Sequence, residues 1–219
     1  PSLNAFFTRE KWPAEISGLS FEHARITAQR GKKHPTFTGS FLFTHKGVSG
    51  PAVFALSSVI AFETYNAQQP LMITIDLFPD RTQDDLEEQI RLFMKKAGRK
   101  HFGNVLSFLI PKSLTTILLH EINLSETRLA SEITKKEIQR CAQWLKAIPL
   151  TVNQRGAGDE FVTAGGVSLS EVNPSTMEST ICKGLFFAGE ILDVDGYTGG
   201  FNLQASWATG RLAGLHAGN

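Results

Sequence analysis

The hydropathy period of this chain changes twice, and that pattern constrains its fold more than any other feature. In "ISGLSFEHARITAQRG" and "HPTFTGSFLFTHKG", within Glu15 to Phe43 and just beyond, Phe, Ile and Thr recur near period 2 with glycines between. This predicts several antiparallel strands. "VSGPAVFALSSVIAF" follows, where Ser49 is placed to cap a helix carrying Pro51 in its first turn and Val53, Phe54, Leu56, Val59 and Ile60 at helical spacing. "LMITIDLFP", Leu71 to Pro79, reads as a strand rich in β-branched residues and stopped by proline. Then the period becomes helical. "TQDDLEEQIRLFMKKAG" opens on acids, closes on lysines and stops at Gly98, as the helix macrodipole favours. Two shorter apolar segments flank Pro111. "TKKEIQRCAQWLKAIP" is an amphipathic helix with Ile138, Cys141, Trp144 and Leu145 on one face.

From Leu150 the strand pattern returns in "LTVNQRG", "EFVTAGGVSL", "TMEST" and "GLFFAG", and a last helix is expected from about Phe201 to His216, packing through Ala205, Leu212 and Ala213. The order is strands, helices, strands, helix. It predicts an α+β fold, a mainly antiparallel β region whose two halves pair around a helical insertion. The divisions expected are 1–81 and 150–162 for the β-rich part, 82–149 for the helical subdomain, and 163–219 for a C-terminal unit.

Composition narrows the function classes. The 219 residues are 42% hydrophobic and 20% charged, ordinary for a soluble globular protein, with 22 basic residues against 21 acidic. A net charge of +1 offers no argument for a nucleic-acid or membrane partner, and Lys95, Lys96, Arg99 and Lys100 read as a solvated helix end. No apolar run reaches the roughly 20 residues that span a bilayer. Cys141 and Cys182 lie far apart, without a C-x-x-C or a helical His pair, so a reduced, cytoplasmic protein without zinc is expected. The chain opens "PSLNAFF", without Met, as expected of a processed or excised piece.

The most informative stretch is "GLFFAGEILDVDGYTGGFNLQASWATGRLAG", Gly184 to Gly214. Its apolar run is the pattern of a strand buried on both faces, and ligands of open α/β sheets sit beyond the carboxyl ends of strands. Glu190, Asp193 and Asp195 follow at once, able to accept hydrogen bonds from a sugar or ribityl hydroxyl. Gly199 and Gly200 let the backbone approach a flat ligand, and a helix starting near Phe201 and Asn202 aims free N–H groups at negative charge. For a flavin, that charge develops at the pyrimidine edge on reduction. Acid-plus-glycine loops are also common turns, and the residues alone leave both readings open. "DVDG" lacks the further ligands of a calcium loop.

"VTAGGVSLSEVNPSTMES" followed by the stretch above resembles the C-terminal signature of the BaiN-like, or YhiN-type, family of bacterial FAD-dependent, NAD(P)H-linked oxidoreductases. "TGSFLFTHKGVSGPAVFALSS" is similar to that family's internal motif, and "PSL" to the point where its inserted region begins. The resemblance covers essentially the whole chain. It implies that 163–219 is the C-terminal strands and helix of a Rossmann-like FAD domain, and that hydride passes from NAD(P)H through FAD to an organic small molecule. Gly189 and Glu190 would then lie at the ribityl-pyrophosphate side. Asp193 and Val194 would run along the cofactor, and Gly200, Phe201, Asn202 and Leu203 would set backbone amides at the flavin's pyrimidine edge. Thr163, Gly165 and Gly166 would return the chain to the flavin domain.

One family feature is missing: no G-x-G-x-x-G opens a helix, and "GAGDEF" at Gly156 lacks the third glycine. The chain is therefore expected to lack the N-terminal FAD-binding half, to need it as a partner, and to hold FAD poorly alone. His45 and Tyr197 are the candidate proton donors, each with a packing role as the alternative; Glu160, Glu171 and Glu178 show no dyad pairing. Other readings are a flavin-dependent amine oxidase, or a non-catalytic fragment acting as a binding or assembly module.

Overall fold

The computed structural model describes residues 2–29, 34–97, 100–156, 162–197 and 199–218. The strands are β1 (Phe6–Thr8), β2 (Ser20–Gln29), β3 (Thr36–Thr44), β4 (Gly47–Ser49), β5 (Leu71–Asp76) and β6 (Ile148–Arg155). The helices are α1 (Pro51–Val59), α2 (Gln83–Ala97), α3 (Phe102–Leu106), α4 (Lys112–Glu121), α5 (Lys135–Lys146) and α6 (Phe201–Ala217). The strands close into an antiparallel barrel in the order β1-β4-β3-β2-β5-β6, so the α+β class read from the pattern holds. β5 and β6 pair with Ile73 opposite Leu150, and the helices α2 to α5 fill the connection between them.

Alternation explains the barrel. Ala24, Ile26 and Ala28 of β2, Phe41 and Phe43 of β3, Ile73 and Ile75 of β5, and Leu150 and Val152 of β6 are all buried at period 2. Closure leaves no free edge from the long strands, which removes the exposed ladder groups that invite aggregation. α1 lies on the barrel through Ala52, Val53 and Leu56. Its N-terminus differs from expectation. Ser49 ends β4, and Gly50 caps the helix instead, at a φ of 108° that favours glycine, with a substituted Cβ only 2.9 Å from the Phe41 Cα. Pro51 then starts the helix, where its missing N–H costs nothing.

The helical block begins with reciprocal bonds between Thr82 and Asp85: the Asp85 N–H donates to the Thr82 hydroxyl, and the Thr82 N–H donates to the Asp85 carboxylate. The Thr82 hydroxyl, which donates to that carboxylate at 2.7 Å, and then the Thr82 N–H hold the Asp85 carboxyl below its ordinary pKa. Gly98, the expected stop of α2, lies outside the described residues. α5 starts on a capping box in which Thr134 and Glu137 exchange bonds, and the same bonds lower the Glu137 pKa. Its buried face carries Ile138, Cys141, Trp144 and Leu145, as the spacing predicts. Burial pushes the Cys141 thiol up to about 12, so it stays protonated near neutral pH.

Where the barrel hands over to the helices, Asp76 is 8% exposed. Its carboxylate takes the Lys146 ammonium at 2.7 Å and the Phe78 N–H at 2.9 Å. Lys146 also donates to the carbonyls of Phe78, at 2.7 Å, and Arg81, at 2.6 Å. Arg25 stands 3.8 Å from the same carboxylate and donates to the Pro79 carbonyl. All three ammonium donors are thus occupied, the condition under which a buried ion pair is tolerated.

The C-terminal segment departs most from the sequence reading. Residues 162–192 form isolated bridges, not ladders: Val167 with Leu192 in parallel, Val172 with Ser179, and Glu178 with Phe186. The run "GLFFAG" finds no neighbouring strands among the described residues, and an unpaired strand leaves its backbone groups unsatisfied. Phe186 and Phe187 pack instead with Val172, Met177, Leu192 and Ala213 in a small core of their own. α6 forms as expected, with Ala213 buried and Leu212 packed on that core.

Asp76→Ala and Lys146→Ala are each expected to destabilise the chain by about 2–3 kcal/mol in urea unfolding, with the double variant losing less than the sum. A thiol reagent is expected to modify Cys182, which is exposed, in the native chain, and Cys141, which is buried, only after denaturant is added.

Candidate functional site

The glycine-rich loop and α6 form a constellation built mainly from backbone. The 163–167 segment lies beside 191–193: Val167 N–H donates to Ile191 at 2.8 Å, and Asp193 N–H returns a bond to Val167 at 3.0 Å. Gly166 permits that approach, because a Cβ there would sit 2.4 Å from the Ile191 carbonyl oxygen. Gly165 faces the ring of Phe62, and Thr163 is exposed beside it in sequence. Gly189 donates its N–H to the Thr209 hydroxyl at 2.9 Å, tying the loop start to α6. Asn202 accepts from the Gly196 N–H at 2.7 Å and donates to the Gly196 carbonyl at 2.8 Å, which closes the loop before the helix.

The start of α6 is open. Gly200 is its N-cap residue in the left-handed region, and no side chain caps the helix. The first intrahelical bond from this end runs from Gln204 N–H to the Gly200 carbonyl. The amides of Phe201, Asn202 and Leu203 therefore have no intrahelical acceptor, and the space where a Gly200 side chain would stand is empty to 4 Å. A flat, electron-accepting ring can meet these amides edge-on, so the backbone fits a flavin's pyrimidine edge. The hollow between 189–192 and α6, lined by Glu190, Val194 and Ser206 among others, is only about 30 Å³. It holds a water, not a ring. Glu190, Asp193 and Val194 are exposed on the loop. On its outer face α6 borders an open hollow of about 1020 Å³, where Leu203 is 65% and Trp207 71% exposed.

The loop is fastened to the barrel by contacts that the sequence does not announce. Asp195 Oδ2 accepts the Ser2 hydroxyl at 2.6 Å and the Ser58 hydroxyl at 2.9 Å. The Tyr197 ring meets Phe37 of β3 edge-on at 5.2 Å. Thus Tyr197 has the packing partner that was its alternative role, while its ring remains 44% exposed. His45 is exposed on the tight turn between β3 and β4, and no hydrogen bond among the described residues joins it to the loop. Glu160 lies outside the described residues, and no metal-binding cluster of His, Cys, Asp and Glu occurs among those described.

Asp195→Ala is expected to cost about 1.5–3 kcal/mol of local stability, because two hydroxyls lose a charged acceptor. Hydrogen exchange checks it: amides of 163–167 and 189–197 exchange faster while β2, β3 and β5 keep their protection.

Comparison with known proteins places this architecture. Residues 1–161 match the family described as the HI0933-like protein barrel and H2TH domain. A ribosomal RNA dihydrouridine synthase of Haemophilus influenzae is 32% identical over 218 residues, covering 98% of this chain and 50% of that protein. A 3-dehydro-bile acid delta(4,6)-reductase of Clostridium scindens is 33% identical over 181 residues, covering 82% of this chain and 44% of the relative. A second ribosomal RNA dihydrouridine synthase, from Escherichia coli, is 31% identical over 189 residues, covering 84% and 43%. The chain spans about half the length of these curated relatives. With the barrel, the helical insertion and the C-terminal motif all accounted for, the chain belongs to the HI0933-like, BaiN-type flavoprotein oxidoreductase family.

Proposed function

We propose that this chain is the barrel, helical cap and cofactor-edge portion of an FAD-dependent reductase that delivers hydride from NAD(P)H to a carbon–carbon double bond of an organic acceptor. The observation that carries this reading is the open start of α6: unclaimed amides at Phe201 to Leu203 beside an empty Gly200. Flavin, when bound, supplies the two-electron carrier that no side chain provides. The chain's own part is to aim those amides, with the positive end of a 17-residue helix, at the edge where negative charge grows. Asp195, Ser2 and Ser58 hold that edge against the barrel, so that the barrel and α1 wall the acceptor side.

The names of the relatives support the reaction class, since a dihydrouridine synthase and a delta(4,6)-reductase both saturate carbon–carbon double bonds. The exposed Leu203 and Trp207 face is assigned to the family's other half, which carries the phosphate-binding glycine turn that this chain lacks. Contact with that half buries Leu203 and Trp207, which this chain leaves exposed. No observation favours the amine oxidase reading.

The chain alone is expected to lose FAD on gel filtration, and the complete protein to retain it. In the complete protein, Gly200→Val is expected to lower bound flavin at least about tenfold, since a side chain is strained at this φ of 85° and fills the approach to the amides. Anaerobic NAD(P)H oxidation that requires an unsaturated acceptor supports the reductase. Stoichiometric peroxide from an amine, without NAD(P)H, overturns it.

A further inference from the structure

The turn that follows α1 holds a large ring in the open. Phe62 is 83% exposed, more than any other large apolar residue among those described. Its neighbours are turned inward: Ile60 and Tyr65 belong to the main core, and Ala61 is buried. The turn itself is fixed. Ala61 N–H donates to the Ser58 carbonyl and Glu63 N–H to the Ile60 carbonyl, both at 3.0 Å. From the end of β6, Arg155 donates to the carbonyls of Ile60, at 3.0 Å, and Glu63, at 2.7 Å. Its Nε donates to the Tyr65 hydroxyl at 3.2 Å, and its guanidinium lies 5.0 Å from the Tyr65 ring centre. The backbone is thus gripped on both sides of Phe62, and the ring turns inward only if those bonds break.

A single exposed phenylalanine needs no explanation by itself. Two further observations make this one specific. Four residues earlier, Ser58 donates to Asp195, so the turn that carries Phe62 also fastens the loop leading to α6. The ring also faces Gly165, where a Cβ would lie 3.8 Å from the ring tip; the glycine leaves that edge of the ring uncovered. Gly165 belongs to the segment that bonds to 191–193 through Val167. An open aromatic ring therefore stands where α1 meets the segments assigned to the cofactor edge. An aliphatic side chain offers apolar area to a molecule of any shape. A ring offers a flat face, whose quadrupole favours offset stacking on another flat conjugated system.

We propose that Phe62 is a specificity-determining residue, the platform on which a flat, conjugated acceptor stacks in preference to a puckered, saturated molecule of the same outline. The inference rests on the proposed function for the ring's place beside the flavin edge, and it deepens that reading by naming the side chain that selects by shape. The grip of Arg155 keeps the platform rigid, so little freedom is lost when a ring settles on it. Hydride transfer makes the reacting carbons tetrahedral. The product then fits the flat face less well than the acceptor did, which favours its release.

The test uses the complete protein, oxidised and without NAD(P)H. It compares coumarin, a flat conjugated bicycle, with octahydrocoumarin, its saturated and puckered counterpart. Isothermal titration calorimetry of the parent is expected to show coumarin binding about fivefold more tightly or better. Phe62→Ala and Phe62→Leu are expected to erase that ratio, since leucine restores apolar area without a flat face. Phe62→Trp is expected to keep it. Because the ring is exposed, flavin absorbance and urea unfolding of all three variants are expected to match the parent. The proposal is overturned if the parent binds the two probes alike, or if the ratio survives in Phe62→Ala. It is overturned too if Phe62→Ala sheds flavin, as a ring touching the cofactor would, or loses stability, as a ring packed on the family's other half would. A complete protein that holds no flavin, or whose flavin NAD(P)H does not reduce, removes the reductase reading; the probe ratio still decides the role of Phe62.

Discussion

Asp76 stands at the point where a barrel strand must become a helical subdomain, and its buried charge has to be met there. Lys146 meets it from the far end of the insertion, reaching from α5 and spending its other donors on the Phe78 and Arg81 carbonyls. The last turn of the helices is thereby fixed to the last residue of β5. Two residues later Ile148 begins β6 and pairs back to Ile75. The pair is not a large net source of stability, since desolvation offsets most of its attraction. Its effect is positional: without Lys146 the carboxylate keeps only Arg25, at 3.8 Å, as a charged partner, and without Asp76 the ammonium keeps only the Phe78 and Arg81 carbonyls. Trp12 and Trp144, with ring centroids 6.2 Å apart, continue the seam between barrel and helices as apolar packing.

The C-terminal segment follows a different logic. It has a core of few residues around Met177 and Leu192, and it is held to the barrel by polar and aromatic contacts at Asp195 and Tyr197. Backbone geometry matters more here than side chains. The close pass at Gly166 and the left-handed Gly200 fix a backbone path that residues with a Cβ do not follow without strain. The helical face beyond it leaves Trp207 exposed.

How much of this was legible in the residues depended on the range of the interactions. β5, α2 and α5 declare themselves by period and by their terminal charges, because local spacing decides them. Barrel closure does not, since it runs through β1 and β4, three residues each, too short to show a period. The apolar run at Leu185 to Ala188 reads as a strand, but a strand requires partners, and hydropathy alone does not supply them. At the site, the glycines and the start of α6 are visible from the sequence. The clamp on Asp195 is not, because its Ser2 partner lies 193 positions away, and a serine near a chain's beginning carries no signal of that contact.

The connection between β5 and β6 is, in topology, an enlarged hairpin loop that happens to contain a folded subdomain. The entropy of closing a loop rises only with the logarithm of its length, so the barrel tolerates a whole block of helices there at little more cost than a long turn. A block joined at two adjacent points can be resized or exchanged in evolution without disturbing the ring of strands that carries it. Length and sequence can therefore change within the cassette while the strand pairing that holds it stays constant.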